Sequence, residues 1–223
     1  MAYRRHTTKG LNTDEVKELS AAWCHAGRIG RPLNVMVTVR PIGVDEMSPA
    51  DRCVLFSKIR NKLGVFARGK VLSSTFVWSR EINPDGTGEH MHVLMHMPSR
   101  HRAKFDELVT GWLPGPAEAD VRTAHQKTRF TWDGRRLTAI GYVAKQMTSQ
   151  AWYRRGMVRK AGGPIVGKRS GVTRDLDWRA RDAFREAWAA APVPAYPPQV
   201  RHLISNGGIT QTPEGYPRTH KTL

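Results

Sequence analysis

The chain has 223 residues, of which 39% are hydrophobic, and carries a formal net charge of +17 from 36 basic and 19 acidic residues. That length supports one well-buried core, or at most two small domains. The charge points to a polyanionic partner, most commonly nucleic acid, and 25 of the basic residues are arginines, whose planar fork suits phosphate oxygens. Cys24 and Cys53 are too few and too far apart for a disulfide framework, so a reducing cytoplasmic setting is expected. The first ten residues lack the apolar core of a secretion signal. No apolar run approaches the ~20 residues that span a bilayer, so no membrane partner is expected.

In chain order, residues 1–12 read as a basic, poorly ordered arm. A helix follows, capped by Thr13 or Asp14 and carried by Val16, Leu19, Ala22 and Trp23, with Gly27, Gly30 and Pro32 closing it. Asn34 to Arg40 is β-branched and apolar, the pattern of a central strand. Ser48 and Pro49 open a second helix in which Val54, Leu55, Ile59 and Leu63 recur at helical spacing. Val71 to Glu81 reads as a strand, Pro84-Asp85-Gly86 as a turn, and Glu89 to Pro98 as the returning strand. Helices are expected over 100–112, 138–151 and 176–191, with a short strand over 119–124. From residue 192 onward the proline-rich sequence reads as an extended tail. The organisation expected is an arm (1–12), one α+β domain (13–191) with a central antiparallel sheet flanked by helices, and the tail (192–223).

The strand over 89–98 alternates Met91, Val93, Met95 and Met97 with His90, His92, Leu94 and His96. The first set would face a core. His90 and His92 then share the other face with Cα atoms ~6.6 Å apart, near enough to converge on one metal ion, whereas His96 lies ~13 Å beyond His92. A hairpin centred on Asp85-Gly86 sets Glu81 opposite His90 and Ser79 opposite His92, on the same side of the sheet. Two imidazoles and a carboxylate, with coordination positions left over, make a site for a catalytic divalent metal. Glu89 is a second carboxylate, but alternation points it away from His90.

Tyr142, Lys145 and Gln146 fall at i, i+3 and i+4 of the helix expected over 138–151 and would share one face. A tyrosine hydroxyl with a pKa of ~10 is a poor nucleophile near neutrality, and a metal-polarised phosphate and a nearby ammonium would both help it attack. On this segment alone, a surface tyrosine beside a lysine stem is the plainer reading.

Taken together, Glu81, His90-Met91-His92 and Tyr142-Val143-Ala144-Lys145 resemble the HUH endonucleases, and more narrowly the rolling-circle replication initiators of plasmids and small single-stranded DNA viruses. The matching motifs span residues 81–145, and the elements over 34–145 suit that ferredoxin- or RRM-like nuclease fold. The resemblance implies that His90, His92 and Glu81 hold Mg²⁺ or Mn²⁺. It implies that Tyr142 attacks phosphorus to leave a 3′-hydroxyl and a 5′-phosphotyrosine, and that Lys145 stabilises the phosphate or positions the metal. Single-strand transposases of this type draw a ligand from the tyrosine helix, so Gln146 competes with Glu81 for that role.

Between Gly134 and Arg174 the sequence has ten basic residues and no acidic one. Arg135, Arg136, Arg154, Arg155, Arg159, Lys160, Lys168, Arg169 and Arg174, with Trp152 interleaved, fit a segment that tracks a phosphate backbone and stacks on unpaired bases. Gly162 to Lys168 nearly spells a phosphate-binding P-loop, but Arg169 stands where Ser or Thr is needed and no apolar strand precedes it, which rules out nucleotide hydrolysis. The partner expected is single-stranded or hairpin DNA at a replication origin of a plasmid or phage, with a host helicase and polymerase supplying strand separation and synthesis. Competing readings are a transposase or relaxase with the same chemistry, and a non-catalytic nucleic-acid-binding protein.

Overall fold

A computed structural model describes residues 6–70, 74–112, 117–124, 128–132, 134–151 and 159–190. The chain divides into two compact units, Met1–Arg181 and Asp182–Leu223, so the division falls ten residues before the start of the expected tail. The described part of the second unit is the end of the last helix.

The first strand, β1 (Thr7–Thr8), is followed by Leu11, which is buried and donates its N–H to the Gln146 carbonyl at 2.8 Å. Residues 6–12 are therefore fastened to the body rather than forming a loose arm. Helix α1 (Thr13–Arg28) is capped by Asn12, not by Thr13 or Asp14. The Asn12 side chain accepts from Glu15 N–H while Glu15 accepts from Asn12 N–H, a reciprocal capping box. Strand β2 (Val35–Pro41) leads to α2 (Pro49–Gly69), whose Ser48 cap and first-turn proline follow the expected pattern. Then come β3 (Phe76–Glu81), β4 (His90–Met95), α3 (Ser99–Gly111) and β5 (Ala117–Thr123). A hairpin of β6 (Arg129–Trp132) and β7 (Arg135–Thr138) precedes the short α4 (Ala139–Val143). Strand β8 (Ile165–Val166) pairs with β1, β9 (Ser170–Val172) joins the main sheet, and α5 (Trp178–Ala190) closes the described chain.

The main sheet is wholly antiparallel, in the order β5-β2-β4-β3-β9. The run β2-α2-β3-β4-α3-β5 is the split βαβ arrangement, with β9 added beside β3. The expected α+β class with helices on an antiparallel sheet is the one observed. The β3–β4 register pairs Glu81 with His90 and Ser79 with His92, as a hairpin centred on Asp85-Gly86 requires.

Both faces of the sheet are covered. On one, Leu55, Phe56, Ile59 and Leu63 of α2 and Phe105 and Val109 of α3 pack with Val37, Trp78, Met91, Val93 and Met95. On the other, α1, α4 and the β6–β7 hairpin pack with Met36, Val77 and Leu94. The imidazole-bearing side of β4 is thus also core-facing, which alternation alone did not indicate. Its polar residues are confined to one end of the β3–β4 pair.

The helix expected over 138–151 is much shorter. Thr138 caps α4 through Gly141 N–H, and the helix stops after Val143. Beyond it, Lys145 and Gln146 turn into the interior and are almost fully buried, which a continuing surface helix would not permit.

The glycine pair at 162–163 shows why no larger side chain stands there. A Cβ on Gly163 would lie 2.2 Å from the Asn83 carbonyl oxygen, and one on Gly162 would lie 2.7 Å from Gln146 Oε1. Nothing lies within 4 Å of a Cβ on Gly69 at the end of α2. Gly163→Ala is expected to destabilise the fold by at least ~1–3 kcal/mol, as overpacking does. Gly69→Ala should be neutral, or stabilising by up to ~1 kcal/mol, through lower chain entropy. Urea titration of both variants checks the contrast.

Candidate functional site

The site is built where β3 ends and β4 begins. Glu81, His90 and His92 each present one ligand atom, and these atoms all lie within 4.8 Å of one another, the one such group found among the described residues. Glu81 is fully buried at the centre. Its Oε2 is 3.5 Å from His90 Nε2 and its Oε1 is 3.5 Å from His92 Nε2. The two imidazoles meet edge to face, with centroids 4.8 Å apart. His90 Nδ1 lies 2.9 Å from the Gly88 carbonyl, and His92 Nδ1 lies 2.9 Å from Thr38 Oγ1 on β2. Each ring is therefore held from behind while its Nε2 faces Glu81.

Lys145 closes the interior side. Its Nζ donates to Glu81 Oε1 at 2.6 Å, lies 3.1 Å from His92 Nε2, and sits 3.7 Å from the centre of the Tyr142 ring. Tyr142 packs edge-on against His92 at 5.1 Å and tilts against Phe130 of β6 at 5.5 Å. The nucleophile candidate is thus wedged between the imidazole and the hairpin, and is half-buried.

The electrostatics follow from this burial. Burial alone would raise the Glu81 pKa, but its polar surroundings, the two imidazoles and the Lys145 ammonium bonded to it, outweigh that and hold the carboxyl well below its usual range. Burial, reinforced by Lys145, lowers His92 to about 3. Burial also lowers Lys145 to about 8 against the opposing pull of Glu81. Tyr142 is raised, by burial first and the Glu81 charge second, so its surroundings favour the neutral phenol. At neutral pH the group is a carboxylate, an imidazole with an available lone pair at His92, and an ammonium.

The donor set fits a divalent cation. Glu81 Oε2 is buried and has no hydrogen-bond partner, an acceptor whose desolvation is otherwise uncompensated. Two imidazole nitrogens and a carboxylate suit Mn²⁺, Mg²⁺ or Zn²⁺ chemistry with positions left for water or substrate oxygen.

Gln146 stands apart from the ligand atoms. Its amide mimics a peptide group at the end of β3, accepting from Ile82 N–H at 3.1 Å and donating to the Ile82 carbonyl at 2.7 Å. Arg169 Nη1 donates to Gln146 Oε1 at 3.0 Å. The alternative ligand role for Gln146 is therefore replaced by a structural one.

Arg169 is itself buried and also donates to the Gly163 carbonyl at 2.6 Å and the Thr8 carbonyl at 2.8 Å. Burial lowers its pKa to about 10. It cannot serve as a surface phosphate contact, and the expectation that it binds DNA is corrected. Glu89 lies on the opposite side of the sheet from the histidines, as alternation indicates, where it pairs with Arg80 and Arg52. His96 is held by the Pro32 carbonyl at 2.9 Å, away from the centre.

The remaining basic residues lie on separate elements, and Arg174 follows Thr173, which bonds to Phe76 at the other end of β3 from Glu81. Arg135 and Arg136 are exposed on β7 and Arg174 is exposed after β9. Lys160 donates its backbone N–H to the Lys145 carbonyl at 2.7 Å, and exposed Arg159 reaches the Met147 carbonyl at 3.3 Å. Lys168 is exposed. Trp152, Arg154 and Arg155 lie outside the described residues. Sequence reasoning missed Thr38, which gave no signal of its own, and Phe130. The latter had one, since Asp133-Gly134 between alternating residues is the strongest short-range mark of a hairpin.

Removing one side of the buried ion pair tests this arrangement independently of any reaction. Lys145→Met leaves Glu81 buried without its ammonium and is expected to cost ~3–5 kcal/mol, and adding Glu81→Gln should recover much of that loss. Denaturant unfolding of the single and double variants measures the coupling.

No family model matches this chain, and neither the curated proteins nor the solved structures include a significant match to it. No helix among the described residues is long and apolar enough to cross a membrane.

Proposed function

We propose that the chain is a metal-dependent enzyme that nicks and rejoins single-stranded DNA through Tyr142, in the manner of the HUH initiators it resembles, and that it starts rolling-circle replication of a plasmid or phage. The observation that carries this reading is the convergence of Glu81, His90 and His92 with a tyrosine packed on His92 and a lysine bridging the two. Each piece is commonplace alone. Their meeting at one end of a hairpin, on a chain of net charge +17, supports phosphoryl transfer on a polyanion.

A divalent cation held by Glu81, His90 and His92 would polarise the scissile phosphate and offset its charge. The chain's own groups supply the rest. His92 and Phe130 wedge the Tyr142 ring and limit its orientations, the positioning that makes attack effectively intramolecular. The Lys145 ammonium, already against that ring, favours developing phenolate charge, which burial and Glu81 oppose. The Tyr142 oxygen bonds to phosphorus as the bond to the 3′-oxygen breaks. The phenolic proton passes to solvent, and the departing 3′-oxygen takes up a proton to become a hydroxyl. Rejoining is the reverse attack by a 3′-hydroxyl, with Tyr142 as the leaving group. Exposed Arg135, Arg136, Arg159, Lys168 and Arg174 would hold the strand through its phosphates.

Incubation with a pool of labelled single-stranded DNA and Mn²⁺, followed by denaturing electrophoresis, is expected to yield a covalent adduct that disappears with chelator and in Tyr142→Phe. His90→Ala and His92→Ala should abolish the adduct while retaining salt-sensitive DNA binding. Undiminished adduct in either histidine variant would remove the metal centre from the mechanism.

A further inference from the structure

The proton positions on the two imidazoles can be deduced from their neighbours. A carbonyl oxygen only accepts, so the contact between His90 Nδ1 and the Gly88 carbonyl at 2.9 Å places a proton on that nitrogen. His90 Nε2 lies on the far side of the ring, 3.5 Å from Glu81 Oε2.

For His92 the evidence comes from the other side of the ring. The Lys145 ammonium has three donors and no acceptor, and its Nζ stands 3.1 Å from His92 Nε2. That nitrogen must accept, so His92 Nδ1 bears the proton and donates it to Thr38 Oγ1 at 2.9 Å. Thr38 pairs directly with His92 across the β2–β4 ladder, so the sheet itself brings the hydroxyl behind the ring.

The two anchors differ in kind. Gly88 contributes a backbone carbonyl, which no substitution of its side chain removes. Thr38 contributes a side-chain hydroxyl, the one hydrogen-bond anchor of either histidine's Nδ1 that a point substitution can delete. His92 is buried, whereas Thr38 is partly exposed at the margin of the site, so replacing it disturbs little core packing.

We infer that Thr38 is a positioning residue for the centre, accepting from His92 Nδ1 and so fixing the ring orientation that keeps Nε2 beside Glu81 and Lys145. This rests on the metal-centre reading for its use, but the ring orientation itself belongs to the protein alone. Outer hydrogen bonds of this sort typically change metal affinity 10–100-fold.

The test compares Thr38→Val, which keeps the shape and removes the hydroxyl, with Thr38→Ser, which keeps the hydroxyl. Two readouts are made on the full chain: Mn²⁺ titration by calorimetry, and long-range ¹H–¹⁵N spectra of the His92 ring without metal. Thr38→Val is expected to weaken Mn²⁺ binding ~10–100-fold and to shift the His92 Nδ1–H resonance, because that proton loses its acceptor. Thr38→Ser should retain both, and thermal unfolding should show all three proteins folded. An unchanged His92 Nδ1–H resonance in Thr38→Val overturns the inference, as does a loss that Thr38→Ser does not rescue. Failure of the wild-type protein to bind Mn²⁺, with the resonance still dependent on the hydroxyl, would sustain the positioning role and count against the metal centre instead.

Discussion

The ion pair between Glu81 and Lys145, 2.6 Å long and buried on both sides, is the constraint around which the rest of the site is arranged. An isolated carboxylate at that depth would be prohibitively costly, and so would an isolated ammonium. Each tolerates burial because of the other, and the pairing has a structural consequence. Lys145 can reach Glu81 only if the chain leaves the helix after Val143 and turns inward. The short α4, the inward Gln146 and the placement of Tyr142 against His92 are parts of that one turn.

That turn must in turn be held. Gln146 completes the hydrogen bonding of Ile82, the residue immediately after Glu81, and Arg169 completes that of Gln146. Arg169 also reaches the carbonyls of Gly163 and Thr8, so three sequence-distant segments meet at the end of β3. Ser79 adds a further tie two residues earlier, donating to the Val143 carbonyl at 2.6 Å. Buried polar networks of this type define a unique arrangement when every member is satisfied. Within the centre itself, Glu81 Oε2 remains without a hydrogen-bond partner. The network thus leaves one carboxylate oxygen, facing an imidazole nitrogen, that could serve as a ligand to a divalent ion.

What was legible in the sequence follows the range of the interactions involved. The Glu81–His90 and Ser79–His92 register could be read because it depends on local alternation and a single turn at Asp85-Gly86. The helices α1, α2 and α3 could be read from their spacing and breakers. Residues 138–151 misled because Ile140, Val143, Ala144 and Met147 do have helical spacing, while the partner Lys145 turns toward, Glu81, lies on another strand. Arg169 looked like a surface cation because nothing near it in sequence shows the carbonyls it satisfies. Leu11 looked like part of an arm because one leucine among polar residues carries no period, and its burial depends on the Gln146 segment. Strand β9 is three residues long, and Gly171 lies so near the Trp78 indole that a Cβ there would stand 2.9 Å from its nitrogen. Only the tertiary contact makes it a strand.

The glycine-rich run from Gly162 to Lys168 shows how the same residues can be read in two ways. In a phosphate-binding loop the glycines let backbone N–H groups surround an anion. Here the closeness they permit is used against the protein itself. Gly163 N–H donates to the Ile82 carbonyl at 3.2 Å, and the Arg169 guanidinium reaches back to the Gly163 carbonyl. Backbone donors turned inward in this way are unavailable to a nucleotide, and the cation that ends the run is buried rather than poised for a phosphate. Lys160, just before the run, is bound through its backbone to Lys145, so the segment that joins the basic residues to the centre is packed directly against the turn that carries the nucleophile candidate. The rejected nucleotide motif is thus a packing device, and small residues are needed there because the end of β3, where the candidate metal carboxylate sits, leaves no room for larger ones.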